Sequence, residues 1–95
     1  LNKNKLKTLP EELGELENLK SLYLRSNGLT ELPRSIARLK SLENLDLSLN
    51  KLTTVPIEIA NLKNLKTLIL VGNDIPSNKR DIIQKLLPNT KIDFE

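Results

Sequence analysis

The chain has 95 residues, 38% hydrophobic and 28% charged with a net charge of +3, values ordinary for one globular domain and too mild to mark a nucleic-acid binder. It has no Cys and no His, which excludes a disulfide scaffold, a Cys/His zinc site, a His-ligated haem, and catalysis by a His base or a Cys nucleophile. Leu supplies 22 residues and Ile 8, against one Tyr, one Phe and no Trp or Met. The longest apolar run, Leu68-Ile69-Leu70-Val71, is too short to cross a membrane.

In chain order the same elements return every 23 residues. Leu22-x-Leu24, Leu45-x-Leu47 and Leu68-x-Leu70 each alternate with period two and predict short strands with one buried face. About 20 residues separate one strand from the next, so the connections are crossovers and the strands pair in parallel. Asn27, Asn50 and Asn73 follow the strands, and Asn4 falls in the same register of an incomplete first copy with Leu1 and Leu6. The chain then turns at Leu29, Leu52 and Ile75 and returns through Leu9-Pro10, Leu32-Pro33 and Val55-Pro56. Pro fixes φ and keeps the residue before it extended. The segments after it, such as Arg34-Ser35-Ile36-Ala37-Arg38-Leu39, have room for one or two helical turns. No single copy can bury its own apolar face, so the copies must stack.

The pattern L-x-x-L-x-L-x-x-N-x-L-x-x-L-P-x-x-I-x-x-L-x-x resembles the leucine-rich repeat family over essentially the whole chain. The L-P-x-x-I-x-x-L unit is similar to that of Ras-group-like intracellular scaffolds and of many bacterial repeat proteins. The ending, Gly72-Asn73-Asp74-Ile75, a charged helix and then Leu86-Leu87-Pro88-Asn89-Thr90-Lys91-Ile92-Asp93-Phe94, is similar to the closing segment of bacterial members, including spirochaete ones. Family members often carry a Cys shortly after that Leu-Pro. Asn89-Thr90 stands there instead, so no thiol function carries over. The resemblance implies an α/β leucine-rich repeat solenoid, right-handed and curved. A short parallel β-sheet forms its concave face, short helical or 3-10 turns its convex face, and a capping helix its C-terminus. The expected organisation is a single domain over 1–95, with a partial repeat at 1–18, repeats at 19–41 and 42–64, and a last repeat with its cap at 65–95. Repeats or a cap are expected to be missing before Leu1.

Two sets of residues stand out. The row Asn4, Asn27, Asn50 and Asn73 lies where the chain leaves each strand. Backbone groups there lose their sheet partners, and a carboxamide can both donate and accept. A structural ladder is therefore expected rather than a ligand site. The strand positions facing away from the core are Ser21, Asn44, Thr67, then Tyr23, Asp46, Ile69, then Arg25, Ser48, Val71, with Ser26, Leu49 and Gly72 beside them. Leu49, Ile69 and Val71 have no core duty there and Tyr23 is the one aromatic of the repeats. These four, with Arg25 and Asp46, make the expected partner-binding surface. On the helical side Glu11, Glu15 and Glu17 stand one period before Arg34, Arg38 and Lys40, and Lys20, Glu43 and Lys66 alternate in sign, as weak lateral pairs would.

At the C-terminus Ser77 or Asn78 is expected to cap a helix, with Ile82, Ile83, Leu86 and Leu87 on one face over the last core layer. Ile92-x-Phe94 should add one more strand, shifted by one residue from strict register, with Lys91, Asp93 and Glu95 extending the concave face. At the other end Leu1, Leu6, Leu9, Leu13 and Leu16 border open space, which predicts self-association through the N-terminal end. No phosphate-binding loop, nucleotide fingerprint, nucleophile elbow or zinc-protease motif occurs. The expected function is thus non-catalytic binding of another protein, with no cofactor, metal or nucleic acid and no membrane insertion. For bacterial members the resemblance implies an exported or cell-surface protein contacting host proteins. The alternative is a cytoplasmic scaffold or regulatory domain whose missing neighbour carries a catalytic activity such as nucleotide hydrolysis.

Overall fold

The computed structural model describes residues 17–95. Asn4, Glu11, Glu15 and the apolar residues Leu1, Leu6, Leu9, Leu13 and Leu16, with the self-association placed on them, lie outside the described residues.

Four strands, β1 (Ser21–Tyr23), β2 (Asn44–Asp46), β3 (Thr67–Ile69) and β4 (Lys91–Asp93), form one parallel sheet in the order β1-β2-β3-β4. Leu22 pairs with Leu45 and Leu45 with Leu68, so the 23-residue period is the sheet register itself. Leu68 then pairs with Ile92, one residue beyond the period. The helix before β4 is longer than the 3-10 turns that precede β2 and β3, and it absorbs that extra residue.

Between the strands the chain crosses the opposite side in two short 3-10 helices, Arg34–Arg38 and Ile57–Asn61. Each starts after an extended proline, Pro33 (φ −68°, ψ 151°) and Pro56 (φ −65°, ψ 147°). Each closes on a tight i to i+3 bond, Leu39 N–H to Ile36 O and Leu62 N–H to Ile59 O. Five residues suffice to carry Ile36 or Ile59 into the core, and a longer α-helix would overrun the repeat. The core is a column of fully buried aliphatic side chains, with Leu24, Leu29, Ile36 and Leu39 in one layer, Leu42, Leu45, Leu47, Leu52, Ile59 and Leu62 in the next, and Leu68 and Leu70 in the last.

The last layer is covered by α1 (Ser77–Leu86), which packs on the second 3-10 helix. Ile83 and Leu87 are buried and Leu86 partly so, but Ile82 is 46% exposed, contrary to the four-residue face expected from spacing. A helix lying on the end of a flat stack buries only a narrow stripe, here the i and i+4 positions. The expected cap is also corrected. Ser77 begins the helix itself, and Pro76 stands before it in extended conformation (φ −68°, ψ 157°) with no side-chain cap bond. The carbonyl of Pro76 accepts from both Lys79 N–H and Arg80 N–H. Arg80 then ties the cap together: its Nε donates to Ile75 O at 3.0 Å, its guanidinium meets Glu95 at 2.9 Å, and it lies 5.2 Å from the Phe94 ring centroid.

Candidate functional site

The three-residue strands are too short to hold a wide surface alone. The parallel ladder continues beyond them through Leu24 N–H to Asp46 O, Ser26 N–H to Ser48 O, Leu47 N–H to Ile69 O and Leu49 N–H to Val71 O. Buried Leu24, Leu47 and Leu70 therefore alternate with outward neighbours in aligned rows. The rows read Ser21, Asn44, Thr67, Lys91, then Tyr23, Asp46, Ile69, Asp93, then Arg25, Ser48, Val71. Adjacent strands lie about 4.8 Å apart, which makes this a compact grid.

Tyr23 and Arg25 are exposed, Asp46, Ile69 and Val71 are half-buried, and Leu49 is 46% exposed. All six residues singled out in the sequence thus lie on or beside the concave face. Asp46 has a second duty there. One carboxylate oxygen accepts both the Ser48 N–H (3.0 Å) and the Ser48 hydroxyl (2.7 Å), so it also holds the bend at the end of β2. Across the first row Asn44 Nδ2 donates to Ser21 Oγ at 3.2 Å.

The Asn row is a hydrogen-bond device. Asn50, buried between two repeats, accepts on Oδ1 from Asn27 N–H and Leu29 N–H, both at 3.0 Å. Its Nδ2 donates to Leu24 O and Leu47 O, both at 2.9 Å, and to Ser48 O at 3.2 Å. Asn73 repeats this with Leu52 N–H, Leu47 O and Leu70 O. Each carboxamide thus joins the turn of its own repeat to the turn before it, supplying the partners that the bending backbone lacks.

Sequence reasoning missed the backbone state at the strand exits. Ser26, Leu49 and Gly72, one period apart, all adopt left-handed backbone, with φ of +62°, +56° and +77°. Glycine bears that conformation without strain, whereas for a residue with a Cβ it costs about 1–2 kcal/mol. Leu49 is therefore a large apolar side chain held in view of solvent on strained backbone, and such positions cluster at functional sites. The signal was available: Gly72 at the equivalent place of the next repeat marks a turn that needs positive φ.

Among the described residues no group of three or more His, Cys, Asp and Glu could hold a metal ion, and no helix is long and apolar enough to cross a membrane.

This stack of parallel strands, prolines, 3-10 turns and an Asn row is that of a repeat solenoid. A family model described as "Leucine rich repeat" matches residues 17–75, and the chain belongs to the leucine-rich repeat family. It is similar to a solved leucine-rich repeat protein of Leptospira interrogans, with 47% identity and a TM-score of 0.97. The match covers 99% of this chain and 24% of that one, so the chain spans about a quarter of that protein's length. No curated protein matches. Leucine-rich repeat domains are protein-interaction folds and are in general not catalytic, because their open concave sheets offer area rather than an enclosed pocket.

Proposed function

We propose that this chain binds a protein partner through its concave face, at Tyr23, Arg25, Asp46, Leu49, Ile69 and Val71, and performs no catalysis. The observation that carries this reading is Leu49, a leucine kept exposed on left-handed backbone beside Ile69 and Val71. Apolar side chains at the centre with charged ones at the edge are the composition of an interface core and rim. Self-association through the N-terminal end is a further proposal, resting on the apolar periodicity of the first partial repeat alone. For the compartment we propose export to the bacterial exterior and contact with host proteins, supported by the likeness of the closing segment to spirochaete repeat proteins. The alternative, an intracellular scaffold or regulatory part of a larger protein with a catalytic neighbour, draws on the match to only a quarter of its solved relative.

Site-specific photocrosslinking in the producing organism tests the surface. A crosslinker placed at Tyr23 or Ile69 should capture a discrete protein, and the Ile69→Asp/Val71→Asp variant should abolish that capture while remaining folded. The opposite side supplies the control, because Ile57 on the second 3-10 helix is 69% exposed. Capture from Ile57 with none from Tyr23 or Ile69 would move the site to the convex side.

A further inference from the structure

The flank where the 3-10 helices lead back into the strands carries a groove of about 570 Å³ between two successive repeats. Ala37, Arg38 and Lys40 line one wall, and Asn61, Lys63 and Asn64 the other. Three cations and two carboxamides face it, and no carboxylate does.

The backbone sets these side chains in place. Lys40 N–H donates to Arg38 O at 2.8 Å and Lys63 N–H to Asn61 O at 3.0 Å, each bond closing a three-residue turn. The central residues, Leu39 (φ −78°, ψ 64°) and Leu62 (φ −81°, ψ 74°), have the inverse γ-turn conformation and are buried. With the central leucine driven into the core, the residues on either side must point outward. Arg38 and Lys40 are thus projected as a pair from one repeat, and Asn61 and Lys63 from the next. Asn64 Nδ2 crosses the groove to Lys40 O at 2.9 Å and holds the two walls together.

Two cations near the groove pair with carboxylates, whereas the groove's own do not among the described residues. Arg34 meets Glu58 at 3.7 Å and Lys66 meets Glu43 at 3.6 Å, whereas Arg38, Lys40 and Lys63 form no ion pair among the described residues. Glu17 lies on the adjoining groove, beside Arg38 and Lys40. It bounds the positive region toward β1.

We propose that this groove is a second binding site, separate from the concave face and independent of its function, which takes an acidic peptide segment of a partner protein. Carboxylates meet the Arg38 fork and the two ammonium groups. The Asn61 carboxamide and the Asn64 Oδ1 offer donors and acceptors to a peptide backbone, which has both. No aromatic side chain lines the groove to stack a sugar or a base.

Fluorescence anisotropy with a labelled hexaglutamate peptide at low salt tests the site on the intact 95-residue chain. Saturable binding that weakens as salt rises is expected. Lys40→Gln/Lys63→Gln should weaken it about tenfold, as loss of two exposed charge contacts would. Lys79→Gln/Lys91→Gln, which removes the same charge elsewhere, should leave it unchanged, as should Ile69→Asp/Val71→Asp on the concave face. Amide NMR shifts on titration should concentrate at 37–41 and 60–64, a readout that needs no variant. Absence of saturable binding, equal loss in the two lysine pairs, or shifts spread over all basic residues would overturn the proposal. Tighter occupation of the groove by a heparin-derived hexasaccharide than by hexaglutamate would overturn the peptide assignment.

Discussion

Leu49 and Gly72 occupy the same place in successive turns, and the side chain of one fills the space that a side chain on the other would need. A Cβ on Gly72 would stand 2.5 Å from Leu49 Cδ2 and 3.3 Å from Leu49 Cα. Gly72 is favoured by its φ of +77°, and a side chain there would also have to displace the tip of Leu49. The exposed leucine of the concave face and the bare backbone beneath it form one unit.

Gly72→Ala should therefore destabilise by about 1–3 kcal/mol, since both left-handed strain and overlap oppose it. Only the overlap depends on Leu49. Leu49→Gly in the Gly72→Ala background should recover about 1 kcal/mol, measured as a coupling in a double-mutant cycle from urea unfolding. Strict additivity of the two substitutions would mean that the residues do not meet.

Asn50→Ala should cost about 1–3 kcal/mol, because buried backbone groups of two repeats lose their partners at once. The half-buried Asn73 serves fewer backbone groups, so Asn73→Ala should cost less. Denaturant midpoints decide the order. An Asn50→Ala midpoint equal to wild type would remove the structural role.

The facing of α1 gives a sharp contrast between adjacent residues. Ile83 is 1% exposed and Ile82 46%. Ile83→Ala should cost about 2–5 kcal/mol, as for a well-packed core site. Ile82→Ala should cost well under half of that, with thermal unfolding as the readout. Equal losses would mean that the helix is rotated on the stack.

Ser35 sits 5% exposed in the first 3-10 helix, and its hydroxyl has no hydrogen-bond partner among the described residues. Removing a buried group that bonds to nothing should help. Ser35→Ala is expected to raise stability by up to about 1 kcal/mol. Loss of stability on that change would reveal a partner for the hydroxyl.

Periodicity determined the architecture of this protein before any coordinate. Leu22, Leu45 and Leu68 recur at a fixed distance, and because a strand alternates faces their inward direction also places Tyr23, Asp46 and Ile69 outward. The one-residue shift at Ile92 was legible for the same reason. The state of a single residue whose local preference loses to its neighbours is harder to read. Nothing in the string Ser48-Leu49-Asn50 itself marks Leu49 as left-handed; the signal is Gly72, one period on, and the Asn50 carboxamide and the ladder bond to Val71 O hold the conformation. Spacing placed Ile82 on the apolar face of α1, but how much of that face is covered depends on what the helix rests upon. Arg38, Lys40 and Lys63 read as ordinary surface charges, and only the inverse γ-turns at Leu39 and Leu62 bring them to one groove. Repetition reports what every copy shares, which is the packed frame. The features proposed for binding lie where one copy departs from the others, and there the outcome is set by contacts between residues far apart in the chain.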